Sequence, residues 1–137
     1  MSENNKVYWV VVSKSDEIKE YLYDCVVNKN IRVVPPLNND LKRVICSKRE
    51  HECARVVVDG VSNRWGFKRR SLVKMLTGLV TEGSFRFNGM RHVPKATRII
   101  VLSTKAPWEL DEQLCERCGA PFPVVNRLDE IENFFES

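Results

Sequence analysis

The amino-acid sequence predicts an α/β fold, with a mostly parallel central sheet of about four or five strands and helices on both faces. Short apolar segments rich in valine and isoleucine recur along the 137 residues, and stretches with the spacing of amphipathic helices separate them. The segment ARVVVDG (54–60) is apolar without alternation, which is typical of a strand covered on both faces. Apolar residues make up 43% and charged residues 29%, the balance of one soluble globular domain.

Each strand of the sheet is predicted from a short apolar run. The first run, KVYWVVV (6–12), is rich in β-branched and aromatic residues, and the second, IRVV (31–34), stops at two prolines. The valine run at 54–60 ends in an acid and a glycine. RIIVLS (98–103) is the last strand expected in the buried sheet.

Three helices are predicted from apolar residues that repeat every three or four positions. The first begins near Ser15, where the acids that follow suit a helix start, and ends near residues 28–30. The second spans about 68–80, and the third is a terminal helix over 126–135. The positions expected to face the core are Ile18, Tyr21, Leu22, Cys25, Val26, Leu72, Val73, Leu76, Leu79, Val80, Leu128, Ile131, Phe134 and Phe135.

Two further segments complete the order of elements. Residues 84–93 alternate aromatic and polar side chains around Asn88-Gly89, which indicates a β-hairpin inserted between a helix and a strand. The segment LKRVIC (41–46) fits either a strand or a short helix.

Charge is distributed unevenly along the chain. Residues 1–108 hold 20 Lys/Arg against 10 Asp/Glu, whereas residues 109–137 hold 2 against 8. A basic body suits an anionic partner, although a solvated surface beside an acidic end accounts for the same pattern.

The sequence predicts the cellular compartment, because its apolar runs fit neither a transmembrane helix nor a secretory signal. None of them approaches the roughly 18 residues of a transmembrane helix, and the start MSENNK lacks the apolar stretch of a secretory signal. We therefore expect an intracellular protein without a membrane partner. Its five cysteines are then thiols or metal ligands rather than a disulfide framework.

A nucleotide site is the first chemistry to consider in an alternating α/β chain. The turn after the first strand, VSKSDEIKEY (12–21), has no glycine to cradle a phosphate, and its acids Asp16 and Glu17 would repel one. Asp59 ends a buried strand, as a Mg²⁺-holding acid does, but an aspartate there is equally a common turn residue. Covalent catalysis finds no motif either, because neither His51 nor His92 has a Ser or Cys partner at motif spacing.

The order of these motifs resembles the superfamily 3 helicase (AAA+-like) domain of replication-initiator proteins of circular single-stranded DNA viruses, of the circovirus, nanovirus and geminivirus type. The likeness covers about residues 6–112 and rests on spacing more than on any one motif. The matching positions are Tyr8, Trp9, Val10 and Val11 in the first strand, Val56, Val57, Val58 and Asp59 in the acid-bearing strand, Arg86, Asn88, Gly89, Arg91 and His92 in a DNA-contacting hairpin, Ile99, Ile100, Val101, Leu102 and Ser103 with Thr104 in the sensor strand, and Pro107 and Glu109 after it.

The chain also departs from this family. The phosphate-loop glycines, lysine and Ser/Thr are missing between Ser13 and Lys19, a second acid is replaced by Gly60, and the sensor amide by Thr104. The resemblance therefore implies a P-loop NTPase-like core that lacks its phosphate loop, without catalytic residues and without ATP or Mg²⁺ as cofactor. Residues 1–112 form this degenerate domain, and 113–137 are an acidic helical segment of the same domain. The positions of a vestigial nucleotide site are Lys14, Lys19, Asp59 and Thr104.

Nucleic-acid binding is the function that such a copy would keep. Residues 62–98 hold nine Lys/Arg against Glu82 alone, interleaved with Trp65, Phe67, Phe85 and Phe87. Core packing is the favoured interpretation for each aromatic, and nucleic-acid contact for the basic cluster. The expected binding residues are Arg64, Lys68, Arg69, Arg70, Lys74, Arg86, Arg91, His92, Lys95 and Arg98.

The resemblance also implies the partner and the setting of this function. We expect single-stranded nucleic acid, DNA rather than RNA, in viral genome replication or expression. A full-length replication protein is a further expected partner, and the host nucleus is the location of a viral protein of this kind.

The alternative function is a protein-interaction or inhibitory adaptor held partly by zinc. CERCG (115–119) places Cys115 and Cys118 at the spacing of a zinc knuckle, and Cys46, His51 and Cys53 offer further ligands. Isolated reduced thiols account for the same residues.

Overall fold

A computed structural model describes the fold for residues 5–12, 17–29, 31–46, 53–62, 70–94, 96–111, 121–132 and 134–136. The strands are β1 (Asn5–Val11), β2 (Arg32–Val34), β3 (Ala54–Asp59), β4 (Phe85–Phe87), β5 (Met90–His92), β6 (Thr97–Ser103) and β7 (Val124–Val125). The helices are α1 (Glu17–Lys29), α2 (Asn38–Ile45) and α3 (Arg70–Thr81), and 3₁₀ turns follow β6 at Pro107–Glu109, Leu128–Glu130 and Phe134–Glu136. No helix within these ranges has the length and apolarity to cross a bilayer.

Five parallel strands form the central sheet in the order β2-β3-β6-β1-β7, and β4 and β5 form a separate antiparallel hairpin. The predicted α/β class, with a mostly parallel sheet and an inserted hairpin, is confirmed. Both faces of the sheet are covered, as uninterrupted valine and isoleucine runs require. Alternate residues of each strand therefore enter different halves of the core, so that Trp9 faces one half and Val10 the other.

The two faces of the sheet are covered by different elements. On one face, α2, α3 and Phe85 of the hairpin bury a core that includes Val7, Trp9 and Ile99. On the other face, α1 and the C-terminal turns bury a core that includes Val10 and Ile100. The segment 41–46, which the sequence left open, lies largely in α2, because Leu41, Val44 and Ile45 fall on one buried helical stripe.

The prediction of a helix over 126–135 is wrong. The described residues of this region follow β7 and contain two short 3₁₀ turns, with the amide of Ile131 bonded to the Leu128 carbonyl at 3.1 Å. The apolar positions do turn inward: Ile131, Phe134 and Phe135 are buried, and the rings of Phe134 and Tyr8 lie 4.5 Å apart. The predicted period reflects the burial of these positions, and short 3₁₀ turns packed on the sheet provide the same burial without a regular helix.

The orientation of α3 fixes where the surface residues lie. Its first residue, Arg70, bonds to Asp111, which follows the carboxyl end of β6, and Val80 near its other end lies beside the first half of β1. The helix therefore runs back from the carboxyl edge of the sheet to its amino edge. The hairpin follows α3 directly, so it lies near the amino edge, where the amide of Ala54 donates to the carbonyl of Ala96 at 3.0 Å.

Candidate nucleic-acid interface

The hairpin that carries part of the predicted interface closes with a two-residue turn. Asn88 and Gly89 have φ angles of 51° and 78°, the left-handed pair that a type I′ turn needs and that asparagine and glycine tolerate best. The resulting register places Arg86 directly opposite Arg91. The next pair away from the turn is Phe85 with His92. The sequence signal at Asn88-Gly89 thus determined the register of every side chain in the hairpin.

One face of the hairpin packs inward. Phe85 is buried, and its ring stacks on that of His92 at 5.3 Å between centroids, while Phe87 meets the His92 ring edge-on at 6.5 Å. Lys42 of α2 lies over the Phe87 ring, 5.3 Å from its centroid. These rings are engaged within the protein, which favours the core interpretation for both phenylalanines. His92, predicted to contact nucleic acid, lies on this inner face.

The opposite face of the hairpin is basic and open to solvent. Arg86 and Arg91 are both exposed, and the Arg91 Nε donates to the Ser84 hydroxyl at 3.0 Å, which restrains that guanidinium. Val93, two residues after Arg91, is 70% exposed. Met90 is 65% exposed at the turn, although its pairing with Phe87 places it on the same face as the phenylalanines. Directly opposed like charges on a hairpin are unfavourable unless an anion lies between them. The sequence analysis missed Met90 and Val93, and their place after the Asn88-Gly89 turn was the available signal.

The other predicted basic residues do not extend this face. Arg70 and Lys74 lie at the far end of α3, which is roughly 18 Å long at 1.5 Å per residue. The Arg70 Nε forms an ion pair with the buried carboxylate of Asp111 at 3.2 Å, which ties α3 to the segment after β6. Lys74 is exposed. Four further predicted residues, Arg64, Lys68, Arg69 and Lys95, lie outside the described residues.

Arg98 belongs to a second basic group, which the sequence did not reveal. In the sheet register, Arg98 of β6 stands between Lys6 of β1 and Arg55 of β3. Strand alternation directs these three cations to the α1 face, away from the face on which the hairpin packs. Lys6 and Arg55 were missed because only the pairing of distant strands brings them into one row.

The vestigial nucleotide site predicted from the resemblance centres on Asp59, which closes a turn. Its Oδ1 accepts hydrogen bonds from the backbone amides of Val61 at 3.0 Å and Ser62 at 2.8 Å, and its Oδ2 accepts one from the Tyr23 hydroxyl. The Lys19 ammonium donates to the Ser62 hydroxyl at 2.6 Å. With both carboxylate oxygens engaged in this way, the geometry favours the turn interpretation of Asp59 over a Mg²⁺ ligand.

This hydrogen-bonded turn shifts two pKa values. Burial by itself would raise the pKa of Asp59, but the bonds from Ser62 and Tyr23 and the charge of Lys19 outweigh it and lower the pKa below its ordinary value. The pKa of the Tyr23 hydroxyl is raised, chiefly because this hydroxyl donates to the Asp59 carboxylate. Both shifts show that the turn favours the charged carboxylate of Asp59 together with the neutral hydroxyl of Tyr23.

Of the other three positions predicted for the nucleotide site, the structure brings one to the Asp59 turn. Lys19 joins the Asp59 turn, whereas Thr104, the residue matched to the sensor amide, is exposed just beyond β6. Lys14 lies outside the described residues. The neighbouring Ser103 is buried and accepts a hydrogen bond from the Lys105 amide at 3.1 Å.

The cysteines predicted as zinc ligands, Cys115 and Cys118, also lie outside the described residues, as does His51. Cys46 and Cys53 are half-buried, and burial raises the pKa of the Cys46 thiol although Lys42 opposes this. Among the described residues, no group of three or more His, Cys, Asp or Glu side chains is arranged to hold a metal ion. Zinc binding stays a prediction.

Comparison with known proteins leaves the function to be argued from this geometry. No protein-family model, curated protein or solved structure matches the chain. The likeness to viral replication helicases therefore stays a prediction from sequence motifs.

Proposed function

We propose that the protein is a non-catalytic nucleic-acid-binding protein that holds a single strand against the outer face of its β-hairpin. The observation that carries this proposal is the directly opposed pair Arg86 and Arg91, both exposed, with the exposed side chain of Val93 two residues after Arg91. Guanidinium groups bind phosphate oxygens through two parallel hydrogen bonds, and a bound phosphate relieves the repulsion between neighbouring arginines.

Exposed apolar side chains near the arginines favour nucleic acid over a simple anion. Val93 lies two residues after Arg91, and Met90 is exposed at the adjoining turn. In this arrangement Arg86 and Arg91 hold the backbone, and Val93 offers apolar surface to a base. Neither contact depends on base identity, so we expect little sequence preference.

A role in viral genome replication or expression is the further part of the proposal, and it rests on the motif resemblance. The sheet order supports it, because β6, matched to the sensor strand, lies between β1 and the acid-bearing β3. DNA in a host nucleus, and a full-length replication protein as second partner, follow from that resemblance. The Asp59 turn is consistent with a copy that does not hydrolyse ATP.

The test is a fluorescence-anisotropy titration with labelled oligo-dT at about 50 and 200 mM salt. The double variant Arg86→Glu, Arg91→Glu should bind at least about tenfold more weakly. The magnitude of its slope of log K against log salt should decrease by about 1.4, since each of the two lost phosphate contacts contributes about 0.7 on single strands. The matched control reverses two exposed cations near the carboxyl edge and the C-terminal turns, Lys105→Glu with Arg127→Glu.

The two variants carry the same net charge, so the comparison separates a local site from general attraction. Retained affinity in the control and loss in the hairpin variant support the proposal. Equal affinity in the two variants, or tight binding that ignores salt, overturns it. Labelled oligo-rU measured in parallel decides between DNA and RNA.

A further inference from the structure

A row of three cations crosses the amino edge of the sheet on the α1 face. This cation row consists of Lys6, Arg98 and Arg55, which are the second residues of β1, β6 and β3 and stand side by side in the strand register. Neighbouring strands lie about 4.8 Å apart, so the backbones of the two outer cations are roughly 10 Å apart. Like charges on adjacent strands repel one another unless an anion lies between them.

The two outer cations of the row have no side-chain partner within the part of the chain that the structure describes. Arg55 is half-buried, and its Nε is shielded from solvent without forming a hydrogen bond. Neither Arg55 nor the exposed Lys6 takes part in an ion pair with another described residue. Arg98, between them, donates to the Thr97 carbonyl at 3.1 Å. A guanidinium that is partly removed from water without an acceptor costs free energy, and a bound anion would offset this cost.

The cation row lies near the basic face of the hairpin. Arg98 follows Arg91 by seven residues, so their backbones are separated by at most about 25 Å. The segment between them returns to the amino edge of the sheet, where the Ala54 amide donates to the Ala96 carbonyl at 3.0 Å. Val93, with its exposed side chain, lies on this segment. The hairpin arginines and the cation row therefore lie at the same edge of the sheet, on its opposite faces.

We propose that Lys6 and Arg55 bind phosphate groups of the single strand held at the hairpin, after that strand has passed over the amino edge of the sheet. This inference rests on the proposed function and extends its site from one face of the sheet to the other. At the edge itself, Asn5 and Thr97 are neutral and share a hydrogen bond of 2.8 Å, so their side chains do not repel a phosphate. The cation row contacts the backbone of the strand alone and adds affinity without base preference.

Simple solvation of the cations at the rim of the core is the competing explanation. Lysine and arginine stems often cover apolar side chains while their charged ends reach water, and the next residues on the same face of β6 and β3 are the buried Ile100 and Val57. This explanation accounts for the stems but leaves the Arg55 Nε without an acceptor. It predicts that the cation row adds nothing to the binding of a longer strand.

The experiment compares fluorescein-labelled oligo-dT of about 5 and about 15 nucleotides, because only the longer one reaches from the hairpin to the cation row. With the unmodified chain, the slope of log K against log salt should be steeper by about 1.4 for the longer oligonucleotide, since two more phosphates are contacted. The double variant Lys6→Gln, Arg55→Gln should lose about tenfold in affinity for the longer oligonucleotide and none for the shorter one. The matched control, Lys105→Gln with Arg127→Gln, removes the same charge and should keep both affinities.

The comparison of salt slopes requires no change in the protein, so it tests the inference even where a variant folds poorly. Equal slopes for the two lengths overturn the inference. Equal affinity of the Gln variant and its control for the longer oligonucleotide also overturns it, and either result leaves binding at the hairpin intact. Failure of the proposed function has a different signature: the double variant Arg86→Glu, Arg91→Glu would keep the affinity of the unmodified chain for the shorter oligonucleotide, and both proposals would then be wrong.

Discussion

Replacing Gly78 by alanine should destabilise the protein, although alanine is the better helix former. Gly78 lies in α3 where the chain returns to begin the hairpin, and a Cβ built on it would lie 2.6 Å from the carbonyl oxygen of Ser84. The amides of Glu82 and Ser84 both donate to the Gly78 carbonyl, at 2.8 and 3.4 Å, so this approach holds the end of the helix against the hairpin.

Two opposing effects decide the sign of the change. Alanine in a helix interior gains about 1 kcal/mol over glycine. Ordinary contact needs the Ser84 backbone to move by roughly 0.8 Å, and overpacking of this kind costs about 1–3 kcal/mol. The obstacle is backbone rather than a flexible side chain, and Phe85 next to it is buried, so we expect the cost to prevail by about 1 kcal/mol.

Urea denaturation followed by circular dichroism measures this difference, with Lys74→Ala at an exposed position of the same helix as control. The control should stay within about 0.5 kcal/mol of the unmodified chain. Gly78→Ala should also weaken oligo-dT binding, because Ser84 restrains Arg91. An alanine variant as stable as the unmodified protein, or more so, would refute the argument from close approach.

Two further predictions concern partly buried side-chain hydrogen bonds. Tyr23→Phe should cost about 1 kcal/mol near neutral pH, where Asp59 is charged. The pKa of Asp59 is lowered in the folded protein, so the stability difference between Tyr23→Phe and the unmodified chain should shrink as pH falls below about 4. The pKa of Tyr23 is raised, so the same difference should also shrink above about pH 10. Urea titrations across pH check both limits. Trp9→Phe should cost about 2–3 kcal/mol in thermal or urea unfolding, because the buried indole donates to the Lys105 carbonyl at 2.7 Å; a loss below about 0.5 kcal/mol would contradict this account.

Sequence patterns alone determined the elements whose signals are local. The valine run of β3 and the isoleucine run of β6 predicted strands covered on both faces, and Asn88-Gly89 set both the hairpin and its register. These features depend on alternation, apolar period and the backbone freedom of single residues, all of which a short window of sequence contains.

The tertiary structure decided what depends on distant parts of the chain. The basic cluster between residues 62 and 98 is continuous in sequence, but α3 separates Arg70 from the hairpin, and strand alternation turns Arg98 to the other face. The C-terminal apolar positions were predicted correctly, while their helix was not, because packing against Tyr8 outweighs a weak local preference. The row of Lys6, Arg98 and Arg55 exists only once strands far apart in sequence are paired. The register of the central sheet is set by the burial of whole faces, which is a non-local property.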